Sequence, residues 1–484
     1  MTVGGKIAMR TRTHFPLGSA ERPLRIAIVG SGPSGFYAAD ALFKQKGVHL
    51  RIDMFERMAM PYGLVRYGVA PDHQSIKRVI RSYAMTARDP RFRFFGNVQV
   101  GHDLPVEQLR KHFDQVVYAF GCSSDRRLGI PGEDLPGSHT ATAFVAWYNG
   151  HPDHRNDRFD LSGTRVAVVG VGNVAMDVTR ILVRDPEDLA STDIAHYALD
   201  ALRESRIKEV LVLGRRGPVQ AKFTPKEIQE IGSLPDVDVM VRKRDLELDD
   251  YSLNEMRAKK PARRNLQYMM ERARLGSQGG ARRVLLQFLA SPVEILSTDG
   301  RVSAVRVERN RLVANEQGWI RSVGTGVSEI VPVDLVFRSV GYRGVALPGI
   351  PFDDRKGVIP SAHGRVLSRR GEANGTSEYV VGWIKRGPTG LIGTNKGDSA
   401  ETVRSMMEDI RGREALPLSE DAEEAVSRLL LDRGIRPIRF SDWNIIDREE
   451  QERGRRRGKL REKITDPTEI AGLLDGRRRR AAVG

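Results

Sequence analysis

Residues 24–56, LRIAIVGSGPSGFYAADALFKQKGVHLRIDMFE, decide how this chain folds. Leu24 to Val29 is a short apolar, β-rich run of the kind that forms a buried strand. It meets Gly30-Ser31-Gly32-Pro33-Ser34-Gly35, after which apolar residues recur at helical spacing. A second β-rich run, Leu50 to Phe55, ends on the acid Glu56. Strand, glycine turn, helix, strand and acid is the order of a dinucleotide-binding unit. Gly30 then permits the tight turn, Gly32 lets backbone approach a pyrophosphate, and Gly35 lets helix and strand pack closely. The helix N-terminus meets the phosphate with N–H groups and a positive dipole end. Glu56, about twenty residues beyond Gly35, can accept hydrogen bonds from an adenosine ribose, which suits FAD or NAD.

The same order starts again at Arg165 to Val169 (RVAVV), which meets Gly170-Val171-Gly172-Asn173-Val174-Ala175 and then the helical MDVTRILV. Here the second strand, Glu209 to Leu213, follows a helical insertion (Asp188 to Ser205) and ends in Gly214-Arg215-Arg216-Gly217. An arginine pair at that edge can clamp a 2'-phosphate bidentately, which points to NADP(H) for this unit. By pattern alone, two solvated arginines in a turn remain the alternative.

Two further runs, Phe113 to Gly121 and Val333 to Gly341, pass from apolar residues into a glycine where the chain would leave the first unit and return to it. The expected fold class is α/β, with two Rossmann-like dinucleotide-binding domains and the NADP domain inserted in the FAD domain. The expected boundaries are a leader at 1–22, an FAD-binding domain at 23–121 and 341–450, an NADP-binding domain at 122–340, and a basic C-terminal tail at 451–484. Within the inserted domain, residues 242–283 read as charged and helical, and strands follow from Val284 to Val307.

Composition excludes whole classes of function. The 484 residues carry one cysteine, Cys122. That rules out a disulfide framework, a self-ligated iron–sulfur cluster, a cysteine zinc site and a CxxC redox pair. Cys122 reads as a small packed residue, so redox chemistry here needs borrowed cofactors. No run approaches the roughly 18 apolar residues of a spanning helix. The first 22 residues carry Lys6, Arg10, Arg12 and Arg22 but no apolar stretch of a secretory signal, so the expected location is cytoplasmic, or an organelle matrix if the leader is a transit segment.

Residues 56–73, ERMAMPYGLVRYGVAPDH, are more specific than either glycine turn. They resemble the adrenodoxin reductase family of ferredoxin–NADP reductases, bacterial members included. So do Gly172 to Asp177, Gly214 to Pro218, Phe223 to Glu227 and Val381 to Thr394, in the same order along the chain. The resemblance implies an oxidoreductase with FAD in the outer domain, NADPH in the inserted one, and electron transfer to a small iron–sulfur protein. It implies FAD contacts by Ser34, Glu56, Leu64, Val100 and Trp383, with Gly390, Leu391 and Ile392 under the flavin. It gives NADP to Gly170, Val171, Gly172, Asn173, Arg215, Arg216 and Glu227, with a touch from Gly390. His73 is implied near flavin and nicotinamide in a tuning role, although by residue type it could equally cap the helix starting near Ser75. Asp177, one helical turn past the phosphate turn, is a candidate for the path to the partner. His73, Asp177 and Glu227 make up the expected catalytic group, and no metal site is expected.

Independently of the family, Pro388-Thr389-Gly390 leads into a helix whose amides could face a reduced flavin. The formal charge of +16 attracts acidic partners. A cluster from Arg242 to Arg283 is the expected docking rim for an acidic ferredoxin, and the runs Arg453 to Lys463 and Arg477 to Arg480 read as solvated. Where the mitochondrial branch carries a docking arginine, two positions beyond Glu227, this chain has Gln229. A glutamate-synthase-type flavoprotein subunit shares the two-nucleotide plan but normally brings cysteine-ligated clusters that one cysteine cannot supply. A nucleic-acid-binding flavoprotein would suit the charge, yet no nucleic-acid-binding signature is present.

Overall fold

A computed structural model of the chain describes residues 15–316, 320–368, 377–411, 415–416 and 424–483, with side chains to 477. Lys6, Arg10 and Arg12 of the leader, and the side chains of Arg478 to Arg480, lie outside the described residues. The chain divides into two compact units. One comprises the chain up to Gly63, Val79–Cys122 and Gly344–Trp443; the other comprises Leu64–Arg78, Ser123–Arg343 and the chain from Asn444 on.

In the first unit, Leu24–Val29 is an interior strand of a seven-stranded sheet. Its neighbours are Leu50–Glu56 and Gln115–Tyr118, both parallel, with Val29 level with Phe55 and Tyr118. Phe92–Gly96 extends one side, and Glu378–Val380 extends the other, again in parallel. Only the short edge strands Arg365–Val366 and Ser361–Ala362 run antiparallel. Five of the six residues of Leu24–Val29 are buried, as a parallel strand covered on both faces requires. The helix Pro33–Phe43 starts with proline in its first turn, where a missing N–H costs nothing, and buries Phe36, Ala38, Ala39 and Leu42.

Tyr62 lies in the same unit with φ +89°, a strained backbone for an aromatic residue. Its ring stands edge-on to Trp443, whose Nε1 donates to the Tyr62 hydroxyl at 3.3 Å. Trp443→Phe deletes that donor, and the expected loss is about 1 kcal/mol of unfolding free energy. The change should appear as a lower denaturant midpoint at unchanged slope; an unmoved midpoint would strip the bond of energetic weight.

The second unit carries a six-stranded sheet in the order Ser138–Thr140, Leu335–Arg338, Arg165–Val169, Glu209–Gly214, Arg282–Phe288 and Val237–Val241, every pair parallel. An antiparallel sheet of Ala290–Thr298, Arg301–Ala314 and Ile320–Pro332 adds to it. The charged stretch forms the helices Asp250–Ala258 and Lys260–Leu275. No helix among the described residues is long and apolar enough to cross a membrane.

One expectation fails in this unit. Lys459 and Lys463, in the run read as solvated, are buried. Lys463 Nζ donates to the carbonyls of Arg66 and Asn149 at 3.1 and 2.9 Å and pairs with Asp193 at 3.0 Å. Asp193 also takes Lys77 at 2.7 Å. Nearby, the fully buried Glu450 accepts both ends of the Arg66 guanidinium, at 2.5 and 3.0 Å. Burial lowers the pKa of Lys77 and Lys463, and the Asp193 carboxylate they share opposes that shift. A charge run is solvated only while each charge lacks a better partner, and here the fold supplies one.

Candidate active site

The first glycine turn is built as a cradle. Gly30 has φ +107°, and a Cβ on it would lie 2.7 Å from the Ala119 carbonyl oxygen of the neighbouring strand connection. A Cβ on Gly35 would lie 2.2 Å from the Gly30 oxygen, so helix and strand close on each other there. A Cβ on Gly32 would meet nothing within 4 Å, so this side of the turn is open for a ligand. Ser31 donates through its backbone N and its hydroxyl to one oxygen of Glu56, at 3.0 and 2.7 Å. The other Glu56 oxygen accepts from the Met58 backbone N at 3.0 Å. The acid is thereby fixed at the end of its strand, next to the turn.

Residues far along the chain complete this face of the first unit. Ser34 Oγ donates to Asn395 Oδ1 at 3.0 Å, and Ser399 Oγ donates to the Ser34 carbonyl at 3.1 Å. Gly382 has φ +76°, and a Cβ there would sit 2.0 Å from Ser34 Oγ, so the Trp383 turn presses on the first helix only because residue 382 is glycine. Trp383 Nε1 donates to the Thr389 carbonyl at 3.2 Å. Gly390 and Leu391 follow as an exposed stretch before the helix Thr394–Glu408, with Ile392 half-buried. Leu391 is 62% exposed. Val100 is buried in the same unit, whereas Leu64, half-buried at the start of the Leu64–Tyr67 helix, belongs to the second.

The second turn repeats the first. Gly170 has φ +133°, with a Cβ 2.2 Å from the Ser339 oxygen, while a Cβ on Gly172 would again meet nothing within 4 Å. Ala175 is buried at the third position. The Val171 carbonyl accepts from the amides of Lys222 and Phe223 at 2.8 and 3.1 Å, and Asn173 Oδ1 accepts from the Thr224 amide at 3.0 Å. These bonds tie the phosphate turn to the segment carrying Glu227. Arg215 is exposed and Arg216 half-buried beyond the Glu209–Gly214 strand. Neither has an ion-pair partner among the described residues, and burial together with the neighbouring Arg215 charge lowers the Arg216 pKa. Two adjacent cations with no ion-paired carboxylate among the described residues suit an anion. The open glycines, the anchored acid and this arginine pair fit FAD in the first unit and NADPH in the second.

His73, Asp177 and Glu227 come together in the second unit, with ligand atoms all within 4.8 Å of one another. His73 sits at the N-cap of the Gln74–Lys77 turn but makes no side-chain capping bond. Its Nε2 instead donates to Glu230 at 2.8 Å, and its Nδ1 lies 3.7 Å from Asp177. At the centre is a residue that sequence reasoning missed. Arg180, 1% exposed, donates to Asp72 at 2.7 and 3.0 Å, to Asp177 at 2.7 Å and to Glu227 at 3.2 Å. Arg184 adds a 3.0 Å bond to Asp72. The one sequence signal was the Asp177–Arg180 spacing of three on a helix, common on any solvated surface. Burial raises the Asp177 carboxyl, and burial with the Asp177 charge raises Glu227. Against the cost of burial, the Arg180 bonds hold Asp72 down to about 2. His73, Asp177 and Glu227 have the chemistry of a metal ligand set, but Arg180 already engages both carboxylates. Arg180 thus sets a fixed positive charge beside two carboxyls that burial pushes up. Gln229 stands exposed on the same Pro225–Gly232 helix.

Comparison with known proteins agrees with this geometry. Residues 24–231 match the family model for pyridine nucleotide-disulphide oxidoreductases. The chain is 45% identical over 457 residues to NADPH-ferredoxin reductase FprA of Mycobacterium leprae, covering 93% of this chain and 98% of that one. It is 42% identical over 474 residues to the mitochondrial NADPH:adrenodoxin oxidoreductase of Bos taurus, covering 95% and 94%. Among solved structures, Mycobacterium tuberculosis FprA in complex with NADPH superposes with a TM-score of 0.88 at 44% identity, over 94% of this chain and 99% of that chain. Two glycine cradles on parallel sheets, one ending in an acid and one in an arginine pair, and likeness over nearly the full length of both reductases, place this chain in the adrenodoxin reductase family of ferredoxin–NADP reductases.

Proposed function

We propose that this chain is an FAD-dependent ferredoxin–NADP(+) reductase that takes electrons from NADPH and delivers them singly to an acidic iron–sulfur protein. The observation that carries the reading is the contrast between the two cradles: Glu56 is anchored by Ser31 at one, and Arg215 and Arg216 have no ion-pair partner among the described residues at the other. Bound FAD and NADPH supply the hydride and single-electron chemistry. The chain's part is to bind, orient and set the field. Arg215 and Arg216 grip the 2'-phosphate, the Gly172–Asn173 amides receive the pyrophosphate, and Glu56 takes the ribose of FAD. Ser34, Trp383 and the Gly390–Ile392 stretch orient the flavin. His73, Asp177 and Glu227 gather round Arg180 in the second unit, where burial raises the two carboxyls above the usual carboxylate range.

Lys260, Arg263, Arg264 and Arg274 stand exposed on the Lys260–Leu275 helix, with no ion-pair partner among the described residues, and form the steering rim. We read the place of action as cytoplasmic, or as an organelle matrix if the leader is a transit segment. The test is a purified preparation that carries flavin colour, bleaches anaerobically with NADPH and regains colour on adding oxidised ferredoxin. Reduction of ferredoxin should slow as ionic strength rises through about 0.1 M, where the Debye length is about 10 Å. A colourless protein, or one that NADPH does not bleach, would overturn the reading.

A further inference from the structure

We propose that the edge strand Ile320–Pro332 pairs with the same strand of a second copy, about a two-fold axis at Thr325. Among the described residues this strand has one neighbour, Arg301–Ala314, so its outer backbone edge is unpaired. It is also exposed: Val327 and Ile330 are 65% and 54% accessible. Residues 320–330 read IRSVGTGVSEI, a palindrome about Thr325 in which the one mismatch sets Arg321 opposite Glu329. In an antiparallel pairing of two copies, Ile320 meets Ile330, Arg321 meets Glu329 and Ser322 meets Ser328, each twice, while Thr325–Val327, with Gly326 at φ +80°, stand outside the ladder at the axis. Opposite charges directly across a ladder are favourable, and an isologous contact requires this self-complementarity.

The structure also decides whether those pairs share a face. The inner ladder breaks between Glu308↔Ser328 and Asn310↔Gly324, so Thr325, Gly326 and Val327 oppose Arg309 alone. The excess is two residues. A one-residue bulge would have turned one arm over and put Arg321 and Glu329 on opposite faces of the sheet. With two extra, Arg321 keeps the face of Val313 and Glu329 that of Val307, and these two lie on one face of their strand. The two-fold therefore sets like faces together on both arms. Glu329 already accepts from Arg242 and Gln287, each at 2.8 Å, which fixes its carboxylate on that face. Pairing consumes the edge of both copies, so assembly closes at the dimer and does not grow into fibres. One strand pair buries less than the roughly 1,200 Å² of a stable interface, so the dimer is weak and reversible.

Sedimentation velocity of the flavin-loaded full chain across a concentration series tests this. Wild type should show a reversible monomer–dimer equilibrium. Arg321→Glu should weaken it about tenfold or more, since both charge pairs become repulsive, and Val327→Lys should weaken it too. Arg321→Glu mixed with Glu329→Arg should form a heterodimer that neither variant forms with itself. Should Glu329→Arg fail to fold on losing its Arg242 contact, Arg321→Glu and Val327→Lys decide alone, both positions being exposed. A wild type that stays monomeric throughout, or a dimer that both exposed-site variants leave unchanged, overturns the proposal.

Discussion

In the Arg215→Ala/Arg216→Ala variant, the dissociation constant for NADPH is expected to rise by a few hundredfold or more while that for NADH changes little. The two guanidinium groups carry no carboxylate partner among the described residues, so their removal breaks no internal bond. What is lost is the grip on a phosphate dianion. Hydrogen bonds to charged groups contribute about 1.5 to 3 kcal/mol each, so two such grips amount to about 3 to 6 kcal/mol. Lysine at both positions should recover only part, because it keeps the charge without the planar fork. Equilibrium titration with both coenzymes reads the result. A common loss for NADPH and NADH would mean that the pair supports the turn and does not read the 2'-phosphate.

Arg180→Met should be the most destabilising single change at the site, at about 3 to 5 kcal/mol, the usual cost of removing one partner from a buried ion pair. Methionine fills much of the volume, so the loss reports charge more than cavity. Asp72 alone loses bonds of 2.7 and 3.0 Å, and Asp177 loses one of 2.7 Å. The pH dependence gives the charge signature. In the wild type Asp72 is held down to about 2, so its contribution is present above its unfolded pKa and fades as pH falls through that value. Asp177 and Glu227 are raised, so the folded chain binds their protons better and loses stability as pH climbs through their raised values. Without Arg180 every carboxyl in the cluster moves up, and the deficit relative to wild type should be small in acid and grow toward neutrality. Melting both proteins at several pH values checks this. A deficit independent of pH would make Arg180 a packing residue. Arg180→Lys should restore part of the stability if charge is what matters.

The two cradles were legible in the sequence because their requirements are local. Gly30 and Gly170 need positive φ and a close neighbour, Gly32 and Gly172 need an open side, and a short strand and a helix must flank each turn. All of this lies within about thirty residues, where spacing along the chain maps directly onto distance. The second-strand ends, Glu56 in one unit and Arg215–Arg216 in the other, were legible for the same reason. His73 and Glu227 were singled out by family resemblance and Asp177 by its place one helical turn past the phosphate turn, and the structure brings the three together.

What the sequence alone determined, then, is the strand–turn–helix chemistry of two nucleotide sites and, through one cysteine, the need for borrowed redox groups. Only the tertiary structure put Arg180 among four carboxylates drawn from three segments, Asp72, Asp177, Glu227 and Glu230. It alone buried Lys459 and Lys463 out of a run that reads as solvated, and gave the 320–332 edge an even excess of residues that keeps its two arms on one face. The physical reason is common to all three. A side chain's charge state and burial depend on which distant segments fold against it, and no periodicity along the chain records that meeting.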